Sequence, residues 1–178
     1  NFNISSNLLL NINKQKLELI RNTKQFCEGL PSNNVLLWGA RGTGKSSLIY
    51  CIFNELIKEY KVTMIEIKNF QIKSLNKILR IISNDKKKYI IFCDDIAFNL
   101  NDENFLFFKN VLDGTLRKFS NVIFYATSNY RHIVKNDTIV LDNQIIKKEN
   151  IESTTALSDR FGLWLGFPSF DKDTFLKI

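Results

Sequence analysis

Short apolar runs alternate along this chain with longer stretches in which apolar residues recur at helical spacing. Val35 to Trp38, Val62 to Ile67, Tyr89 to Cys93, Val122 to Ala126 and Leu163 to Phe167 have strand length and are rich in branched and aromatic residues. Leu17, Ile20 and Phe26 predict the inward face of a helix from Lys14 to Glu28, ended by Gly29, Pro31 and the Ser32-Asn33-Asn34 turn. A second helix is expected from about Lys45 to Lys58. Ile72, Leu75, Leu79 and Ile82 mark a third, and Asn104 to Lys118 a fourth. Tyr89 to Cys93 is the most apolar run, as expected of a strand covered on both faces of a parallel sheet. This alternation predicts an α/β fold with three layers and a parallel sheet of about five strands. Residues 1–30 are read as an entry segment and helix, and residues 31–178 as one α/β core. Residues 130 to 158 show no clear period.

Composition narrows the class. A chain of 178 residues can bury one substantial core. No apolar run approaches the roughly 20 residues of a membrane span, and no secretory leader opens the chain, so a cytoplasmic protein without membrane contact is expected. Three cysteines, Cys27, Cys51 and Cys93, are an odd number without metal-ligand spacing, which suits free buried thiols in a reducing compartment. The net charge of +7 admits a nucleic-acid partner. Lys, Asn and Ile are abundant together, however, as an AT-rich coding bias would make them.

The basic excess is densest in residues 58 to 88. Lys58, Lys61, Lys68, Lys73, Lys77, Arg80, Lys86, Lys87 and Lys88 face only Glu59, Glu66 and Asp85 there. Lys73, Lys77 and Arg80 are expected on one helical face, either as a contact surface or as an ordinary solvated one. No aromatic residue interleaves with them in a way that suits base stacking.

The first candidate chemistry is a glycine-rich turn. Gly39-Ala40-Arg41-Gly42-Thr43-Gly44-Lys45-Ser46 follows a strand and opens a helix, and Ser47 continues it. Glycines let successive N–H groups point into one concavity and hold phosphate oxygens. The positive end of the following helix faces the same anion. Lys45 would reach the β- and γ-phosphates of ATP, and the Ser46 hydroxyl would ligate Mg2+.

Two further strand ends carry polar residues. Tyr89 to Cys93 runs into Asp94 and Asp95. Asp94 would hold the Mg2+ shell and Asp95 would polarise the attacking water; the alternative is a pair that merely caps the next helix. Val122 to Ala126 ends in Thr127, Ser128 and Asn129. Parallel neighbours bring their C-terminal ends to one edge, which places Asn129 to orient the lytic water or touch the γ-phosphate, if it is not an ordinary turn residue. His132, the lone histidine, reads as a loop residue. Ser158-Asp159-Arg160-Phe161 precedes the last strand. Arg160 could neutralise charge on a transferring phosphoryl group or serve as a surface ion pair.

Together these motifs resemble the AAA+ superfamily. The resemblance implies Walker A at 39 to 46, Walker B at 90 to 95, sensor 1 at Asn129 and an arginine finger at Arg160. The stretches Asn33 to Leu48, Ile91 to Phe98, Tyr125 to Ile133 and Leu157 to Phe167 also resemble an uncharacterised bacterial domain-of-unknown-function family of AAA+-like ATPases. Ile96, Ala97, Tyr130 and Ile133 are small departures from it. Most AAA+ members carry Asp-Glu where this chain has Asp94-Asp95, and the shorter acid is expected to slow hydrolysis. The helical lid and sensor 2 arginine should follow the last strand, and the sequence stops at Ile178, so both are expected to be missing or truncated.

The resemblance implies an ATP-binding, Mg2+-dependent ATPase that assembles as a homo-oligomer and remodels or switches a protein or nucleic-acid partner. A nucleic-acid-associated loader or slow ATP-dependent switch is the alternative. A metabolite kinase shares the phosphate loop but would call for a basic lid in place of the Ser-Asp-Arg box.

Overall fold

The computed structural model describes residues 12–98, 103–113, 119–131 and 159–168. Helix α1 (Asn13–Cys27) leads into strand β1 (Val35–Gly39), followed by α2 (Lys45–Leu56) and β2 (Val62–Ile67). A 3-10 turn, Asn69–Ser74, leads into α3 (Leu75–Ile82) and β3 (Lys88–Cys93). Then come α4 (Glu103–Leu112), β4 (Val122–Ser128) and β5 (Leu163–Phe167). The five strands form one sheet in the order β2-β3-β4-β1-β5, and every neighbouring pair is parallel.

Two-residue alternation divides each strand between two cores. Val35 and Leu37 of β1, Ile90 and Phe92 of β3, and Ile123 and Tyr125 of β4 pack on one face with Leu19 and Phe26 of α1 and Leu48, Ile49 and Ile52 of α2. Leu36, Ile91 and Phe124 pack on the other face with Leu75 and Leu79 of α3 and Phe105 and Phe108 of α4. The expected three layers and five parallel strands are therefore present. Burying each large apolar side chain contributes about 1.5–3 kcal/mol, so both faces are needed to hold the sheet.

Helix α1 departs from its sequence pattern. Leu17 was expected inside and is 68% exposed. The inner face is Leu19, Asn22, Thr23 and Phe26. Two polar residues can lie inside because each is satisfied: the Thr23 hydroxyl bonds the Leu19 carbonyl and the Tyr125 hydroxyl, both at 2.6 Å. Asn22 donates to Asn33 O and accepts from Asn33 N–H, both at 2.9 Å. These bonds fix the rotation of α1 and leave Leu17 on the opposite side. Ile20 packs at the margin of the core.

The basic stretch also departs in part. Lys73 lies in the 3-10 turn, not on α3, and pairs with Glu103 at 2.8 Å. Lys88 turns over the Phe26 ring and donates to the Ser120 carbonyl at 3.0 Å. The shared helical face is thus reduced to Lys77 and Arg80, both exposed. Among the described residues, no helix is long and apolar enough to cross a membrane.

Candidate functional site

The glycine-rich loop joins β1 to α2 where β1 lies between β4 and β5. Such a loop sits at the carboxyl edge of the sheet, where open α/β folds bind ligands. Gly39, Gly42 and Gly44 all have positive φ. Gly39 is the most constrained, since a Cβ there would stand 2.1 Å from the Phe167 carbonyl oxygen of β5. Any side chain at that position would push β5 away or unwind the loop. Gly44, with φ of 87°, starts α2 and turns the chain so that Lys45 and Ser46 occupy the first helical turn. Thr43 tightens the loop by donating to the Ala40 carbonyl at 2.9 Å.

The Lys45 ammonium lies inside this loop. It donates to Gly39 O at 2.8 Å, Ala40 O at 2.7 Å and Asn129 Oδ1 at 3.3 Å. All three ammonium protons therefore have acceptors. Burial holds its pKa below the usual lysine value, partly offset by the carboxylates of Asp95 and Asp94. A phosphate in the loop would supply the negative charge that burial makes favourable.

The acidic strand end meets this loop through side chains. Cys93 pairs with Ala126, so Asp94 stands level with Thr127 at the tip of β4. Ser46 Oγ donates to Asp94 Oδ1 at 2.6 Å. Thr127 Oγ1 donates to the same oxygen, also at 2.6 Å. With its proton on Asp94, Ser46 keeps lone pairs free for a cation. Hydroxyl and carboxylate oxygens suit Mg2+, which needs only one or two protein ligands beside phosphate and water.

Asp95 follows in a left-handed conformation, with φ of 49°. Its Oδ1 accepts from Asn129 Nδ2 at 2.6 Å, and its Oδ2 lies 3.5 Å from Arg41 Nη2. The Arg41 contact is largely exposed on both sides and contributes little. Asn129 thus bridges Lys45 and Asp95 from one amide. Below the turn, Ile96 and Phe98 are fully buried, and the Phe98 ring lies 6.0 Å from Phe105 and 5.8 Å from Phe108. That aromatic cluster fixes the chain as it leaves the site.

The structure therefore brings Gly39, Lys45, Ser46, Asp94, Asp95 and Asn129 to one edge. It does not bring Arg160 there. Arg160 precedes β5 at the opposite edge, a strand of about 16 Å away. Its guanidinium pairs with Asp113 just after α4, and its carbonyl accepts from Asn34 Nδ2 at 3.5 Å. His132 lies outside the described residues. Sequence reasoning placed Thr127 at a strand tip but gave it no role. Its link to the acids follows from strand register, which has no local sequence signal.

Five parallel strands in the order β2-β3-β4-β1-β5, helices on both faces, a glycine-rich loop after β1 and acids after β3, two strands away, give the fold of P-loop AAA+ domains. The Orc1 protein of Aeropyrum pernix, solved in complex with DNA, superposes with a TM-score of 0.68 at 15% identity, covering 94% of this chain and 48% of that one. Cdc6p from Pyrobaculum aerophilum gives 0.63 at 10% identity, covering 99% and 50%. The RuvB Holliday junction branch migration motor of Thermotoga maritima gives 0.53 at 16% identity, covering 91% and 47%. This chain spans about half the length of each. The chain itself belongs to the family described as Protein of unknown function (DUF815), which matches residues 2–178. No curated protein matches it.

Proposed function

We propose that this protein binds ATP with Mg2+ in the Gly39–Ser46 loop and hydrolyses it to remodel or switch a macromolecular partner. The observation that carries the reading is the 2.6 Å bond from Ser46 Oγ to Asp94 Oδ1. It joins the phosphate loop to the acidic strand end in the way a shared Mg2+ requires. In this reading the loop N–H groups and Lys45 hold the phosphates, and Ser46 and Asp94 hold the metal. When bound, Mg2+ offsets charge on the phosphate oxygens. Asp95 takes a proton from water while the water oxygen forms a bond to the γ-phosphorus. The bond to the β–γ bridging oxygen breaks, and ADP leaves with that electron pair. Asn129, already bonded to Asp95, orients the water.

Arg160 acts on a neighbouring molecule's nucleotide in this reading, which suits its place far from its own loop, and a homo-oligomer follows from it. Cys27, Cys51 and Cys93 form no disulfide, which suits a cytoplasmic setting. A nucleic-acid partner is the second reading. Exposed Lys77, Arg80, Lys86 and Lys87 support it, together with the likeness to an Orc1 protein solved with DNA.

Two variants test the reading. Lys45→Ala should weaken ATP binding by about 10²-fold or more, the loss of a charge-assisted phosphate contact in a buried site, with circular dichroism unchanged. Asp95→Asn should keep Mg–ATP affinity and lose turnover by about 10²–10⁴-fold. Unchanged affinity in a folded Lys45→Ala protein sinks the phosphate-loop assignment. Wild-type turnover in Asp95→Asn removes Asp95 as the base.

A further inference from the structure

Thr127 is 1% exposed and bonds to three consecutive residues of the acidic turn. Its Oγ1 donates to Asp94 Oδ1 at 2.6 Å and accepts from the Asp95 N–H at 2.8 Å. Its carbonyl accepts from the Ile96 N–H at 2.8 Å. We propose that Thr127 is the positioning residue of the site, a single hydroxyl from β4 that orients both the metal-side acid and the base. This rests on the ATPase reading above and assigns a residue which that reading does not use.

Two physical arguments carry it. Asp95 is the one non-glycine with positive φ among the described residues. Outside glycine only Asn and Asp visit that conformation at all often, and a turn holds it where neighbouring bonds determine it. The Asp95 and Ile96 N–H groups both end on Thr127, one on its side chain and one on its main chain, so β4 supplies that constraint. The second argument is the single hydroxyl proton. Because Oγ1 receives the Asp95 N–H, its own proton goes to Asp94 Oδ1. Ser46 donates to the same Oδ1. Both hydroxyls fix one oxygen and leave Oδ2 for the hydration shell of a cation.

Thr127→Val keeps the volume and removes the hydroxyl, while Thr127→Ser keeps the hydroxyl and removes a methyl. Turnover is measured against free Mg2+, and Mn2+ binding with ADP is followed by paramagnetic resonance. Thr127→Val should lower kcat and metal affinity by about 10–100-fold, the usual effect of losing a partner behind a metal ligand. Metal-free ATP affinity should hold, and Thr127→Ser should recover most of both losses. In the unmodified protein the Asp95 amide should exchange slowly with solvent, and fast exchange there overturns the anchor without any variant. A Val variant with wild-type kcat and Mg2+ dependence overturns the proposal. So does a Ser variant as impaired as Val at wild-type melting temperature. If the wild-type protein neither binds Mn2+–ADP nor hydrolyses ATP, the ATPase reading fails and Thr127's role falls with it. If the wild type does both and Val matches it, only the Thr127 assignment fails.

Discussion

The two edges of the sheet are both dense with polar side chains, but they bond differently. At the amino edge those side chains serve the backbone. Asn34 Oδ1 accepts from the Phe124 N–H at 3.0 Å. Asn121 Nδ2 reaches the carbonyls of Ile82, Asp85 and Lys87, ending α3 and the loop after it. Asn22 serves both N–H and carbonyl of Asn33. At the carboxyl edge, besides bonds from Lys45 and Thr43 to loop carbonyls, side chains form a network with one another: Ser46 and Thr127 to Asp94, and Asn129 to Asp95 and Lys45. Bonds that satisfy a backbone group cannot be given up without cost, because they leave a buried peptide group unpaired. Bonds between hydroxyls, amides and charged groups can be exchanged for a phosphate or a cation. In the proposed reading one edge stays as it is, and the other changes partners.

Arg160 is the sharpest challenge to that division, since it belongs to the amino edge and is proposed to act chemically. Arg160→Ala should lower turnover by about 10³-fold without a matching loss of ATP affinity, the effect of removing an arginine finger. Turnover per molecule should rise with protein concentration. Mixing the Arg160→Ala protein with a Lys45→Ala protein should restore activity, because each supplies what the other lacks. If the mixture stays inactive and turnover per molecule is flat, Arg160 only pairs with Asp113. The amino edge is then structural throughout.

Asn34 tests the same edge from its bland side. Asn34→Ala leaves the Phe124 N–H without its acceptor and should lower stability by about 1–2 kcal/mol. Nucleotide affinity should not change. Thermal melting and calorimetry separate the two, and a variant that melts normally but binds ATP poorly would reverse the assignment of the edges.

The smallest expected effect concerns Lys45. Burial depresses its pKa in the free protein, and a bound triphosphate raises it again. Between the depressed value and the ordinary 10.5, the free protein has lost part of the Lys45 proton that the complex keeps. ATP binding at alkaline pH should therefore take up a fraction of a proton. Repeating the calorimetry in buffers of different ionisation enthalpy measures it. Proton release over that range would place the phosphates elsewhere.

Contiguous features could be read from the chain itself. The five strand cores lie where short apolar runs put them, and Leu163–Phe167 agrees at both ends. The shape of the Gly39–Ser46 loop was legible because its glycines, Lys45 and Ser46 are fixed by local dihedral freedom and by the first turn of one helix. What joins separate segments was not. Leu17 fits an apolar helical pattern as well as Leu19 does. The Tyr125 hydroxyl and the Asn33 backbone decide which of them faces inward, by offering partners to Thr23 and Asn22. Sequence spacing puts Lys73 on the face of Lys77, but the 3-10 turn changes its angle and Glu103 pairs with it. Thr127 meets Asp94 only because β3 and β4 align Cys93 with Ala126. A one-residue slip would send that side chain to the other face of the sheet. Local spacing determines a motif's own shape, whereas register and helix rotation minimise the free energy of the whole packed sheet, and those decided which polar groups meet.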